Sequence, residues 1–132
     1  RDRNGNLRTL ADRVFLPSAT EMGFPIREGM AEGRKLPLAD NPRMRIAAPT
    51  AAAVETADWK PDVFATDRPW RWWLRSPYSG NSNGVRLVCS DGSETSHSAC
   101  IGIVGLRPAL VLKSDIFVSD APDNGCAHRL LF

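Results

Sequence analysis

Two blocks rich in Trp, Arg and Pro bracket a segment of opposite character, and that contrast constrains the chain more than any other feature. Trp70-Arg71-Trp72-Trp73-Leu74-Arg75-Ser76-Pro77 and Gly105-Leu106-Arg107-Pro108-Ala109-Leu110 combine bulky rings, planar cations and prolines of fixed φ. Between them, Tyr78 to Val104 is built from small, polar and turn-forming residues with a few larger ones scattered through it. A strongly specified frame around a loosely specified face points to binding rather than catalysis.

At 132 residues the chain has the size of one domain with a moderate core. The expectation is a single domain over residues 1–132, with residues 78–104 as its ligand-binding segment. A start at Arg1 rather than Met is compatible with the C-terminal part of a longer protein. The formal charge is +2, and basic residues alternate with acids, as in Asp12-Arg13, Arg27-Glu28, Glu32-Gly33-Arg34 and Asp67-Arg68. That balance gives no electrostatic footprint for nucleic acid. No apolar run approaches the roughly 20 residues that span a bilayer, so membrane insertion by this domain is not expected.

The cysteines, Cys89, Cys100 and Cys126, are odd in number and lack CxxC spacing. Ser90-Asp91-Gly92-Ser93 carries the Asp-Gly signal of a two-residue hairpin turn. In that register Cys89 faces Glu94 and Cys100 faces Asn83, which separates the two sulfurs too far for a bridge. Free thiols are expected, with no catalytic cysteine.

Val14-Phe15-Leu16 reads as a strand, followed by Pro17 and by Ser18-Ala19-Thr20-Glu21, a capping box that opens a short helix ended by Gly23 and Pro25. Gly, Pro and charge between Ile26 and Pro49 argue for surface loop. A second helix is expected from Thr50, through Ala51 to Ala57, with Trp59 anchoring its exit. Short strands follow at Trp72–Leu74, Val85–Cys89, Thr95–Ile103 and Ala109–Leu112, with Ile116–Val118 as a further candidate. Helices that precede strands, rather than alternating with them, give an α+β class with a small twisted antiparallel sheet.

The run Val14 to Glu21, the Arg45–Thr50 stretch, Trp72–Pro77, the Ser90–Ser93 turn and Gly105–Leu110 together resemble an uncharacterised domain family of gut bacteria and their phages. The resemblance implies a C-type-lectin-like fold of the kind shared with formylglycine-generating enzymes. It is also similar to the variable proteins of diversity-generating retroelements, in which reverse transcription errors at adenines randomise codons such as AAC and AAT over a fixed scaffold. Substitution at the first two adenines of such codons never yields Lys, Gln, Glu, Met or Trp. From Tyr78 to Val104 only Glu94 lies outside the permitted set.

On that resemblance the variable ligand-binding positions are Tyr78, Ser79, Asn81, Asn83, Leu87, Cys89, Thr95, Ser96, His97, Ser98, Cys100, Ile101 and Ile103. The scaffold positions are Trp72, Trp73, Arg75, Asp91, Gly92, Arg107 and Pro108. Alternation along the strand puts Leu87 and Cys89 on one face and Arg86 and Val88 on the other. The resemblance turns Leu87 and Cys89 outward and Val88 inward, with a bulge or strand start between Val85 and Leu87 to keep Val85 in the scaffold. Burial of Leu87 and Cys89 in the core is the competing reading.

Trp70, Trp72 and Trp73 could form a stacking platform, but beside Pro77 they read better as core and hinge elements. Arg75 and Arg107 are expected to pair with acids of the N-terminal region. Among the candidate contacts, Tyr78, Leu87, His97 and Ile101 are the most capable anchors. No cofactor and no obligatory metal, calcium included, are expected, because the acids form no loop of spaced oxygen ligands.

Three functions stay open. The first is a non-catalytic module that recognises an unknown protein or glycan receptor from a phage virion or bacterial cell surface. The second is a structural domain of a surface or tail protein, and the third an oxidase of the formylglycine-generating type.

Overall fold

The computed structural model describes residues 14–25, 32–57, 61 and 64–111, and the backbone of 117–123 and 127–131. Trp59, Leu112, Ile116 and Cys126 lie outside the described residues. Where the sequence suggests one domain, the chain contacts cluster into two compact units. One comprises Arg1–Phe15 with Leu110–Phe132, and the other Leu16–Ala109. The class is mixed α and β, mostly sheet with few short helices.

In the first unit, Phe117–Asp123 (β7) and Ala127–Leu131 (β8) form an antiparallel hairpin. Its register shifts between Val118 and Pro122, where a proline cannot donate to the ladder. Val14–Phe15 (β1) pairs with Ala109–Leu110 (β6), the strand in which the division between units falls.

The larger unit holds a four-stranded sheet of Trp72–Pro77 (β2), Gly84–Val88 (β3), Glu94–Ser98 (β4) and Gly105–Leu106 (β5), in the order β4-β3-β2-β5. The β2–β3 and β3–β4 pairs are antiparallel, while β5 runs parallel to β2 with Trp72 opposite Gly105. The sheet is therefore mixed rather than wholly antiparallel. The chain must return across the sheet to place β5, and the Gly105 N–H to Arg71 O bond of 3.0 Å fixes that arrival.

Along β2, Trp72, Leu74 and Ser76 are buried and Arg75 and Pro77 exposed, the period of two expected of a strand with one covered face. Trp72, Leu74 and Val88 meet Ala19, Met22 and Phe24 in the core of the larger unit, with Leu36 and Ala47 packed against it.

The capping box forms as the sequence predicts. Ser18 N–H donates to Glu21 Oε2 at 2.9 Å, and Glu21 N–H donates to Ser18 Oγ at 3.1 Å. Yet the helix it announces stops after one turn. Phe24 N–H reaches Ala19 O and Gly23 N–H reaches Thr20 O, each at 3.0 Å, closing a Schellman motif with Gly23 at φ 72°. The C-cap follows so closely on the N-cap that no second turn fits between them.

The second helix matches its expected start. Ala51–Thr56 (α1) is capped by Thr50, whose Oγ1 accepts from Ala53 N–H at 3.2 Å. Within the expected loop, two 3-10 turns at Pro37–Asp40 and Pro42–Arg45 each begin on proline.

The β2 register carries the largest departure from regularity. Trp73 opposes Leu87 but Pro77 opposes Val85, so β2 spends two more residues than β3 on that stretch. The β3–β4 register runs from Gly84 to Val88 without a break. The expected irregularity thus lies opposite Val85–Leu87 but on β2. There Arg75 N–H leaves the ladder and donates to Pro17 O at 3.0 Å, binding the capped turn to the strand.

Candidate display surface

The hairpin between β3 and β4 turns through three residues rather than two. Cys89 N–H donates to Ser93 O at 2.8 Å, Gly92 N–H donates to Cys89 O at 3.0 Å, and Gly92 takes a positive φ, 84°. This is a type I turn completed by a left-handed glycine, whereas a two-residue Asp-Gly turn needs positive φ at both positions. Asp91 Oδ1 accepts from Ser93 N–H at 2.9 Å and from Ser93 Oγ at 2.6 Å, and these bonds hold its carboxyl below the ordinary carboxylate value. A Cβ on Gly92 would sit 3.2 Å from Ile46 Cγ1. We expect Gly92→Ala to cost about 1–2 kcal/mol, mainly from the left-handed backbone, read as a lower thermal midpoint with unchanged secondary structure.

The one-residue longer loop moves the whole register. Val88 opposes Glu94, Leu87 opposes Thr95, Arg86 opposes Ser96 and Val85 opposes His97. Glu94 therefore shares a face with Val88 and Arg86, and Thr95 and His97 share the opposite face with Leu87. Asn83 O receives Ala99 N–H at 2.9 Å, so the partner of Asn83 is Ala99, not Cys100.

β4 ends at Ser98 rather than continuing to Ile103, and Ala99–Cys100 turns away, with Ile101 N–H bonded back to Ser98 O at 3.2 Å. Cys89 and Cys100 are free thiols, half-buried and exposed respectively.

Ser79, Asn81, Asn83, Thr95, His97 and Cys100 are exposed. The turn that leaves β2 and the end of β4 bring several of them together. Asn83 Nδ2 donates to Ser98 Oγ at 3.2 Å, and Ser98 Oγ lies 3.3 Å from Cys100 Sγ. His97 Nδ1 accepts from Ser98 N–H at 2.8 Å, which places the ring proton of the neutral imidazole on Nε2. Tyr78, Cys89, Ser96, Ser98, Ile101 and Ile103 are half-buried.

Leu87 is the correction: it is 0% exposed, as is Val88 on the opposite face. Parity along β3 is as expected, but β3 lies between β2 and β4, and Leu87 has Trp73 as its direct cross-strand neighbour. On a central strand an outward-pointing leucine beside an indole is not open to solvent. Its placement leaves it no direct contact with a ligand.

Tyr78 is held more tightly than a freely exchangeable residue. Its N–H donates to Gly84 O at 2.9 Å, and a Cβ on Gly84 would lie 3.0 Å from the Tyr78 side chain. A Cβ on Gly80 would overlap the ring. The Arg86 guanidinium lies 5.6 Å from the ring centroid, and Arg86 Nη1 pairs with Glu94 Oε1 at 3.0 Å, with side-chain exposures of only 7% and 6%.

Arg86 and Glu94 form a buried pair that sequence reasoning missed. In a two-residue turn they fall on opposite faces. The Gly92 signal for a three-residue loop was the clue that would have joined them.

The frame spends its polar groups inward. Trp70 Nε1 donates to Ile103 O at 2.9 Å, tying the 99–104 loop to the first block. Trp72 Nε1 donates to Arg45 O at 2.9 Å. Arg75 grips Glu21 with both nitrogens, at 2.6 and 2.9 Å, and Nη1 also donates to Leu16 O at 2.8 Å. The expected acid partner of Arg75 is present.

Arg107 instead donates to a backbone carbonyl, Met44 O at 2.7 Å, and stacks 5.2 Å from the Trp72 ring centroid. Burial pushes its guanidinium below the ordinary value. Trp73 is half-buried, Gly92 is buried and Asp91 and Pro108 are exposed. Among the described residues no group of three or more His, Cys, Asp or Glu is arranged to hold a metal ion, and no helix is long and apolar enough to cross a membrane.

No curated protein and no solved structure matches the chain. A family model covers the whole of the frame and the segment it encloses, and by that match over residues 2–114 the chain belongs to the family described as a domain of unknown function, DUF6273.

Proposed function

We propose that the chain is a non-catalytic ligand-binding domain of C-type-lectin-like type, whose Tyr78–Val104 segment is diversified by a retroelement to recognise a protein or glycan receptor from a phage virion or bacterial surface. One observation carries the reading. The six positions expected to vary that are exposed, Ser79, Asn81, Asn83, Thr95, His97 and Cys100, all hold residue types reachable by adenine substitution in AAC or AAT codons. Glu94, the one residue of the segment that is not reachable, is locked in the Arg86 ion pair. Arg86, Leu87 and Val88 are of reachable types but buried, so burial selects among the positions that the codon rule allows.

Population sequencing of the gene tests this without knowledge of the ligand. Substitutions should concentrate at positions 79, 81, 83, 95, 97 and 100, leaving Trp72–Pro77, Arg86, Glu94 and Gly105–Leu110 constant. Even variation along the chain would sink the proposal.

The burial of Leu87 and the packing of Tyr78 favour a second reading for part of the segment, that of polar loops on a structural domain of a larger surface or tail protein. Exchange of Tyr78–Val104 for the corresponding segment of a family member separates the two readings. Folding retained with altered cell or receptor binding supports display, and unaltered binding supports the structural role.

A further inference from the structure

We propose that residues 99–104 cross the outer face of the sheet as a strap, and that Gly102 on this strap is a further ligand-contact position that sets specificity. The inference rests on the display reading above. Glu94, Val88, Trp72 and Gly105 stand in one row across β4, β3, β2 and β5. Ser98, where β4 ends, lies four residues beyond that row, and Gly105 lies three strands away from it. At about 3.4 Å per residue and about 4.8 Å per strand, the chain has about 20 Å to cover from Ser98 to Gly105. Its few residue steps reach at most about 25 Å, whereas a path around the end of the sheet needs about 28 Å. The segment also turns twice, at 99–100 and at 102–103, which leaves no slack for a detour. It therefore passes over a face of the sheet.

Which face follows from what fills the other. Trp72, Leu74 and Val88 meet Ala19, Met22 and Phe24 on the core side. That leaves the side of Leu87 and Trp73, which oppose each other across β3 and β2. Thr95, Leu87, Trp73 and Leu106 form one row on this side. The ends of the row are open to water, with Thr95 exposed and Leu106 70% exposed, yet Leu87 between them is 0% exposed while standing apart from the core cluster. A diagonal strap over the middle of the row produces that pattern. Ile101 N–H bonds Ser98 O at its start, and Trp70 Nε1 bonds Ile103 O near its end.

Exposure then divides the strap. Ile101 and Ile103 are half-buried, and the crossing assigns them to its underside, against Leu87. Cys100 and Gly102 are exposed. A Cβ on Gly102 would meet nothing within 4 Å, and its φ lies outside the left-handed range, so a side chain fits there without strain. Gly80 and Gly84 differ, because the Tyr78 side chain fills the space a Cβ would need. Glycine is also within the set that adenine substitution in AAC or AAT can reach. In this chain a ligand group can approach the bare backbone at 102, and in a copy with a larger residue the side chain would occupy that volume.

Two measurements test this. In the full chain, NMR methyl contacts should link Leu87 to Ile101 or Ile103. Gly102→Tyr should keep those contacts and melt within about 2 °C of the parent, while Ile103→Thr should lower the midpoint by about 5 °C. Absence of the contacts, or a loss in Gly102→Tyr as large as in Ile103→Thr, overturns the strap. The contacts are read in the unmodified chain, so this arm does not depend on either variant folding.

Population sequencing reads the ligand role. In clones that differ at the six exposed positions named above, residue 102 should change with them while 101 and 103 stay apolar. Ser90 and Ser93 serve as controls, being exposed and of reachable type but at the far end of the β3–β4 hairpin, and they should stay constant. Variation there equal to that at 102 would mark mere tolerance of exposed sites and overturn the contact role. An invariant glycine at 102 beside variation at the six removes the contact role and leaves the display reading intact, whereas even variation along the chain removes both.

Discussion

Leu87→Asn is expected to destabilise the chain by about 4 kcal/mol, while Thr95→Asn and His97→Asn each stay within about 0.5 kcal/mol of the parent. All three are changes that adenine substitution can produce or reverse, so the codon rule alone treats them as equivalent. Burial does not. Leu87 is 0% exposed, and its replacement removes a filled volume costing about 2–5 kcal/mol for a comparable truncation. It also places an amide where no partner awaits it, a further cost of about 1–3 kcal/mol if unrelieved.

Thr95 and His97 stand on the exposed side of an edge strand, where a side chain of similar size changes little. Urea unfolding followed by Trp fluorescence reads the difference, and with a slope of about 2 kcal/mol per molar the Leu87 variant should unfold about 2 M earlier. Equal midpoints for the Leu87 and His97 variants would return Leu87 to the display surface.

The contrast between Leu87 and His97 also shows where the sequence was readable. Strand parity was legible, because a period of two needs only the alternation of residue types, and it put Val88 and Leu87 on opposite faces, while the choice of Val88 as the inward one came from the resemblance. Coverage was not. Whether the second face of β3 is open depends on which strands flank it, and the parallel arrival of β5 beside β2 left no local pattern.

The capping box at Ser18–Glu21 and the Thr50 cap were likewise visible, since each is a local bonding pattern of a few residues. The short element that the box opens also ends at Gly23 as expected, but as a single turn rather than a helix. The hairpin shows the cost of one residue most clearly. Asp91-Gly92 announced a turn, but assigning it two loop residues instead of three reversed every β4 side chain and hid the Arg86–Glu94 pair. The β2 irregularity opposite Val85–Leu87 was anticipated in place but assigned to the wrong strand, since its cause is the non-local bond from Arg75 N–H to Pro17 O.

That same bulge sets the second large expectation. Removing one partner of the Glu21–Arg75 pair should cost more when the carboxylate is left behind than when the guanidinium is. The Glu21 side chain is 11% exposed and that of Arg75 37% exposed, so Arg75 retains access to water and Glu21 largely does not. Arg75→Met strands a carboxylate that keeps the Ser18 N–H but loses both guanidinium bonds, and about 3 kcal/mol is expected, toward the lower end of the range for breaking a buried pair.

Glu21→Leu leaves a cation that can turn to solvent and keeps its bonds to Leu16 O and Glu32 O, and about 2 kcal/mol is expected, part of it from the lost capping acceptor at Ser18 N–H. The double variant should be more stable than Arg75→Met alone, because the uncompensated charge is gone. Thermal melts of the three chains give the ordering directly, and a Glu21→Leu chain weaker than Arg75→Met would show that the capping bonds, and not the buried charge, dominate.

The consequence reaches the candidate site through connectivity. Ala19 N–H donates to Ser76 Oγ at 2.9 Å, and Ser18 Oγ and Ser76 Oγ both bond Glu32, so the capped turn holds β2 at two successive residues, Arg75 and Ser76, just before Pro77 and Tyr78. A chain that loses this grip should loosen the 78–84 turn before it loses the β3–β4 hairpin, whose own bonds do not pass through Glu21. Amide exchange that rises first at Tyr78, with Cys89 and Gly92 still protected, would place the frame's contribution to the display surface at the exit of β2, and uniform loosening of both would place it in the sheet as a whole.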